Sequence, residues 1–328
     1  MKKILSFLLP ILIAAALLIY TYQGQDFSAM SSGLKEVHIG ALIATFVSTF
    51  VAHWFRAIRW NMLFEPVGYS PSKINSFLAV MSGYFTNLII PRAGEVSRCT
   101  ILLTSEKIPL QTSIGTVLAE RGLDLVMLIL IALVAFGLEF ETLSQFLSQQ
   151  QARFGGGEQT NLKLILGLIF LGVIVFGYFF RKPLSKIPIV TKILDFAKGL
   201  MEGLFSAVRL KNPVLFILYT LIIWGSYFMT TYLSLYMFDF TFDLGIKAAF
   251  MLLIIGSFGI IVPVPSAVGG PFQAFVSAAL VTLYNKDPVM SLVAATMMYY
   301  SQQFFTAVLG GACYLASVVK ANKMIPEN

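Results

Sequence analysis

The chain has 328 residues, of which 57% are hydrophobic and 12% charged, with a mean hydropathy of +0.81. Soluble domains carry about 25% charged residues, so this composition excludes a soluble fold, a disordered chain and a coiled coil. A net charge of +7 does not make it a nucleic-acid binder; the apolar excess points instead to an all-α polytopic integral membrane protein.

Lys2 and Lys3 precede an apolar run from Ile4 to Tyr20. Ala14, Ala15 and Ala16 lie inside that run, so it reads as an uncleaved signal anchor and not a cleaved leader. Further runs long enough to span occur at 38–58, 114–138, 162–180, 214–237 and 290–319. Shorter apolar stretches occur at 74–90, 246–262 and 271–284. Together they predict six to eight transmembrane helices in a single domain over 1–328. Its first half covers about 1–138 and its second about 214–319.

Charge orients the spans. The linker 139–161 has Glu139, Glu141 and Glu158 against Arg153, with glycines at 155–157, and reads as an external loop. The segment 181–213 carries Arg181, Lys182, Lys186, Lys192, Lys198, Arg209 and Lys211 against Asp195 and Glu202. That excess places it in the cytoplasm, with both termini, in a cell membrane. Within it, 192–209 has the spacing of an amphipathic helix lying on the membrane surface.

Parity of crossings then requires 74–112 and 246–284 each to begin and end on one face. Each is interrupted in its middle, the first by Pro91, Arg92, Ala93 and Gly94, the second by Pro263, Pro265, Gly269, Gly270 and Pro271. The expectation is two broken-helix hairpins, re-entrant from opposite sides, in an inverted repeat. The alternative is two pairs of short, fully crossing helices.

Charges inside spans are costly and need a reason. Glu120, Arg121 and Asp124 sit early in the span 114–138; Arg121 and Asp124 are three apart and share a face. They read either as a polar site for a charged headgroup or as an ion pair that fixes packing. Around the first break stand Asn87, Pro91, Arg92, Gly94, Glu95 and Arg98, where a helix end and arginines suit phosphate. The alternative there is an ordinary cytoplasmic loop. Arg56 and Arg59, between Trp54 and Trp60, read as an interfacial belt, with Arg59 within reach of the same site. Cys99, Cys313, His38 and His53 form no metal or disulfide motif. No nucleotide-binding or hydrolase motif is present, so no cofactor or metal is expected.

The order Arg59-Trp60, Gly83, Asn87, Pro91-Arg92, Gly94-Glu95, Arg98, then Glu120-Arg121 and Asp124, resembles the flippase-like transmembrane region of lysylphosphatidylglycerol synthases and their stand-alone relatives. The likeness extends to chain length and to a late Pro263-Val264-Pro265 turn. There the sequence departs: Ser266 and Ala267 replace the usual glycine pair, and Phe272 or Gln273 occupies a position usually acidic or His. No aminoacyl-transferase domain follows Asn328, so synthesis of aminoacylated lipid is not expected. The resemblance implies a lipid translocase-like membrane domain.

The leading expectation is movement of an anionic lipid, or a lipid-linked phosphate or sugar, between leaflets. Arg92, Arg98 and Arg121 would engage phosphate; Glu95, Glu120 and Asp124 would hold those arginines. The alternatives are a lipid-modifying membrane enzyme using Glu95 or Asp124 as base, and a non-transporting membrane partner of a separate glycosyltransferase.

Overall fold

A computed structural model of the chain describes residues 33–145, 210–261 and 264–322. The expected signal anchor, the span 162–180, the amphipathic segment 192–209 and Pro263 lie outside the described residues. All regular structure among the described residues is helical.

Among the described residues eight α-helices frame the site: α1 Ile39–Met62, α2 Lys73–Ile89, α3 Ala93–Glu106, α4 Leu110–Leu138, α5 Pro213–Ser234, α6 Ile246–Ile261, α7 Pro271–Tyr284 and α8 Pro288–Asn322. α1, α4, α5 and α8 are long and apolar enough to cross a membrane. Their outward faces expose Ile43, Leu133, Leu221 and Leu315, among others, as helices surrounded by lipid do. By contrast α2, α3, α6 and α7 have 17, 14, 16 and 14 residues. At about 1.5 Å per residue none reaches the roughly 30 Å of a hydrocarbon core.

These short helices form the two expected hairpins. Pro91 cannot continue α2, and Ile90 before it is extended (φ −120°, ψ 113°) because proline disfavours a helical predecessor. The turn itself is made by Arg92, at φ 62°. Gly94 is not the turn residue; it lies inside α3 with ordinary helical geometry. Its role is contact: a Cβ on Gly83 would meet the Gly94 carbonyl oxygen at 2.7 Å, so the legs touch backbone to backbone. In the second hairpin Gly269 (φ 69°) and Gly270 (φ 101°) do turn the chain, and Pro271 opens α7 at a position that needs no amide donor. Its legs meet at Gly259, where a Cβ would stand 2.7 Å from Phe272 Cα. Both hairpins leave through matching caps. Lys107 and Asn285 are left-handed, and the following amides of Ile108 and Lys286 return to the carbonyls of Leu102 and Leu280.

The hairpins enter from opposite ends. At one end Lys320 Nζ of α8 donates to Asn75 Oδ1 of α2, and Leu210, Phe64 and Ile108 share one core with Phe77 and Leu102. At the other, His38 pairs with Asp239, Tyr284 Oη donates to Glu139, and Leu235, Phe238, Val276, Leu280 and Val293 share a second core. Each half is thus long helix, hairpin, long helix, run in opposite senses, with α1 and α5 packed along each other. The tips meet in the middle: the amides of Ser266 and Ala267 donate to the carbonyls of Asn87 and Leu88, each at 3.2 Å. Those two carbonyls lie in the last turn of α2, where no helical amide reaches them.

Candidate functional site

The polar residues of α1 recur at 45, 49, 53, 56 and 59, one helical stripe facing inward. It delivers Arg56 and Arg59 to the carboxylates of α4. Arg56 Nη1 donates to Glu120 Oε1 at 2.9 Å and its Nη2 to Asp124 Oδ2 at 2.8 Å. Arg59 Nη2 donates to Asp124 Oδ1 at 2.8 Å. Arg98 of α3 approaches Glu120 Oε2 at 2.8 Å, an ion pair angled away from the hydrogen-bond direction. Its guanidinium stacks over the Trp60 ring at 4.6 Å, and Trp60 is fixed by its indole N–H to Thr116 Oγ1. All five charged side chains are buried. Three guanidiniums against two carboxylates leave this cluster one positive charge in excess.

The interfacial belt expected of Arg56, Arg59, Trp54 and Trp60 is therefore corrected. Arg59 and Trp60 are wholly buried and Arg56 nearly so; carboxylates on α4 supply what a lipid–water interface would otherwise supply. The expected pairing within α4 is present, but it is the longer of the two ion pairs Arg121 makes. Asp124 is occupied by Arg56 and Arg59, and Arg121 turns to Glu95, its Nε donating to Oε1 at 2.8 Å. Arg121 lies 3.8 Å from Asp124. The Arg121–Glu95 pair is half-exposed. Glu95 and Arg98, though three apart, serve different partners.

Beside this cluster lies a partly enclosed cavity of about 660 Å³, within the range of small-molecule sites. Arg56, Arg92, Glu95, Arg121 and Asp124 line one end, with Asn87 and Pro91 from the first hairpin tip and Val264 and Ser266 from the second. Apolar groups including Leu125, Leu128, Leu253, Ile260 and Ile261 form a flank. Thr49, Thr230, Thr231, Gln302 and Gln303 also line the cavity, among aromatic and apolar groups that include Trp224, Tyr227, Phe272 and Met298. Arg98 and Glu120 do not line the cavity; they stand behind it and hold Trp60, Arg56 and Arg59. Asn87 uses its Oδ1 to accept the Gly94 amide at 2.8 Å, which pins the first tip. Gln273 plays the matching part in the second, its Oε1 accepting the Gly270 amide at 2.7 Å. Pro265 accepts the Val268 amide in the same turn. Tyr299 and Tyr300 of α8 brace that turn through the carbonyls of Ser266 and Val268.

Arg92 is exposed at the first tip and makes no ion pair among the described residues. A left-handed backbone costs a non-glycine residue about 1–2 kcal/mol, and strain of this kind concentrates at functional positions.

The residues sequence reasoning underrated are Arg56, Arg59, Tyr227 and Gln302. The period of polar side chains along α1 is the signal that would have found the first two. Tyr227 Oη accepts from Arg56 Nε at 3.0 Å, a contact between halves of the chain.

Residues 7–311 match the family described as the lysylphosphatidylglycerol synthase TM region. A stretch of 99 residues is 31% identical to a UPF0104 membrane protein of Methanocaldococcus jannaschii, covering 29% of this chain and 30% of that protein. No solved structure matches. The ordered residues from Arg59 to Asp124, the two hairpins and a match over most of the chain lead to one conclusion: this is a multi-pass membrane protein of the lysylphosphatidylglycerol synthase transmembrane-region family.

Proposed function

We propose that the chain moves an anionic lipid, or a lipid-linked phosphate or sugar, between leaflets by alternating access. The observation that carries this reading is the meeting of two oppositely inserted hairpin tips at a cavity that has arginines at one end and an apolar flank. Arg92 and Arg121 are the groups for phosphate: both line the cavity, and both are more exposed than the locked arginines behind them. Arg98, Glu120 and Asp124 hold the frame. The apolar flank takes the upper acyl chain. Discontinuous helices around a central site are the device transporters use for such substrates.

Charge supports an orientation. The end holding the first hairpin's base carries Lys73, Lys107, Lys211 and Lys320 against Glu65 and Glu106. The other carries Lys35, Lys247 and Lys286 against Glu36, Glu139, Glu141, Asp239, Asp243 and Asp287. The positive-inside rule assigns the first end to the cytoplasm of a cell membrane. In a background lacking Cys99 and Cys313, Lys107→Cys and Asp287→Cys will then label from opposite sides with an impermeant thiol reagent. Labelling of both from one side refutes the arrangement.

The activity is tested with the full chain in vesicles containing phosphatidylglycerol labelled on its acyl chain, read by quenching from outside. Movement above that of empty vesicles is expected. The pair Arg92→Ala with Arg121→Gln will lower it at least about tenfold, since each charge-assisted hydrogen bond contributes roughly 1.5–3 kcal/mol. Movement no faster than in empty vesicles, or an unaffected double variant, overturns the reading.

A further inference from the structure

We infer that the cavity takes a phosphate bearing an uncharged polyhydroxyl group, a glycerol or a sugar-like ring, and excludes headgroups that carry an ammonium. This rests on the lipid-movement reading and adds the substrate class.

Charge matching supplies half of the argument. Every carboxylate at the arginine end is already occupied. Asp124 receives Arg56 and Arg59, Glu95 receives Arg121, and Glu120 receives Arg56 and Arg98. With Arg92 at the same end, the cavity lining and the cluster behind it hold five guanidiniums and these three carboxylates, an excess of two positive charges. A phosphate fits that excess. An ammonium brought into the same cavity finds no free acid, and a buried charge without a counter-charge is strongly disfavoured.

The far wall supplies the other half. It carries several uncharged polar side chains at a depth where polar groups are costly. Thr49 stands seven residues from Arg56, about 10 Å along the helix. Its Oγ1 donates to Gln302 Oε1, and Gln302 Nε2 donates to Thr45 Oγ1. Thr230 and Thr231 donate to the carbonyls of Ser226 and Tyr227 in their own helix. Hydroxyls that donate inward keep lone pairs for hydroxyl donors on a ligand. Gln303 lines the same wall with its amide engaged by no other described side chain. A phosphate at the arginines therefore places its substituent against hydroxyl acceptors and one free amide, which is the complement of a polyol. Helix-packing glue is the competing account of such a wall, but Gln303 packs nothing through its amide.

The test is lipid retention by the full chain in detergent, read by native mass spectrometry, with phosphatidylinositol, phosphatidylglycerol, phosphatidic acid, phosphatidylethanolamine and lysyl-phosphatidylglycerol offered at equal concentration. The two polyol lipids are expected to be retained roughly three- to tenfold over the other three, one or two hydrogen bonds' worth. Gln303→Leu with Thr231→Val will bring the phosphatidylinositol to phosphatidic acid ratio to about one. Should the double variant fold poorly, Gln303→Leu alone carries the test, because the Gln303 amide makes no hydrogen bond to another described side chain. Equal retention of either ammonium lipid, or a ratio unmoved by the substitutions, overturns the inference. Soluble inositol phosphate is the control for the carrier. If it displaces the lipid at equal concentration, the headgroup chemistry stands and the lipid reading falls. A polyol preference in detergent without movement in vesicles likewise keeps this inference and overturns transport.

Discussion

The arginines divide into two kinds, and burial decides which is which. Arg56 and Arg59 are shut between α1, α4 and α5 and share two carboxylates. Removing one partner of a buried pair costs about 3–5 kcal/mol, so Arg56→Gln is expected to lower the unfolding temperature sharply in detergent. Arg121 is half-exposed against Glu95, where an ion pair contributes roughly 0–1 kcal/mol. Arg121→Gln will leave thermal stability nearly unchanged while impairing lipid movement. Equal stability loss in the two variants would contradict the division. Arg92 gives a finer test, because glycine accepts its φ of 62° without penalty. Arg92→Gly will keep or gain up to about 1 kcal/mol of stability and still lose activity. Sequence alone brings Arg92 and Arg121 toward one site, and both line the cavity, but it misplaces Arg56 and Arg59. Two arginines between tryptophans near a helix end look the same whether they snorkel to an interface or pair inward; the deciding carboxylates lie more than sixty residues away.

At the scale of elements, both hairpins were legible because proline and glycine interrupt apolar runs too short to span. The expected bounds 74–90, 246–262 and 271–284 lie within a residue of α2, α6 and α7, whereas the end expected at 112 overshoots α3, which stops at Glu106. The function of the glycines was less so. Gly94 reads as a turn residue in sequence, yet it permits contact between α2 and α3, and only the packing of the legs reveals this. Gly94→Ala would push a methyl group into the Gly83 backbone and the Asn87 side chain, prising the legs apart. Overpacking of this kind costs about 1–3 kcal/mol. Gly259→Ala is expected to do the same against Phe272 and Pro271 in the second hairpin. Gly115→Ala, with open space around the new methyl, will raise stability slightly, since alanine is the better helix former by about 1 kcal/mol. Thermal unfolding of the three single variants checks this, and a stable Gly94→Ala would show that the legs do not touch.

At the scale of the whole molecule, the inverted halves meet where neither has helical hydrogen bonds of its own. The last-turn carbonyls of Asn87 and Leu88 depend on the amides of Ser266 and Ala267 in the opposite hairpin. Those amides are in turn positioned by Tyr299 and Tyr300. No single segment of sequence announces such a contact, because it joins the two halves through backbone and leaves no side-chain signature. It is also the junction that any passage of a headgroup between the two sides must disturb, since it bridges the tips of both hairpins. Parting the tips leaves two carbonyls unpaired at membrane depth, at roughly 1–3 kcal/mol each, unless water or the headgroup's own donors replace the amides. A hydroxyl-bearing headgroup supplies such donors, so the substrate itself would ease the opening. Locking the junction tests this directly. In a background lacking Cys99 and Cys313, Leu88→Cys with Ala267→Cys places two thiols on residues joined by a 3.2 Å backbone hydrogen bond across the junction. Oxidation is expected to cross-link the pair and slow lipid movement at least about tenfold, and reduction to restore it. Full activity in the cross-linked protein would mean that the tips stay together while lipid moves, and that the path runs elsewhere.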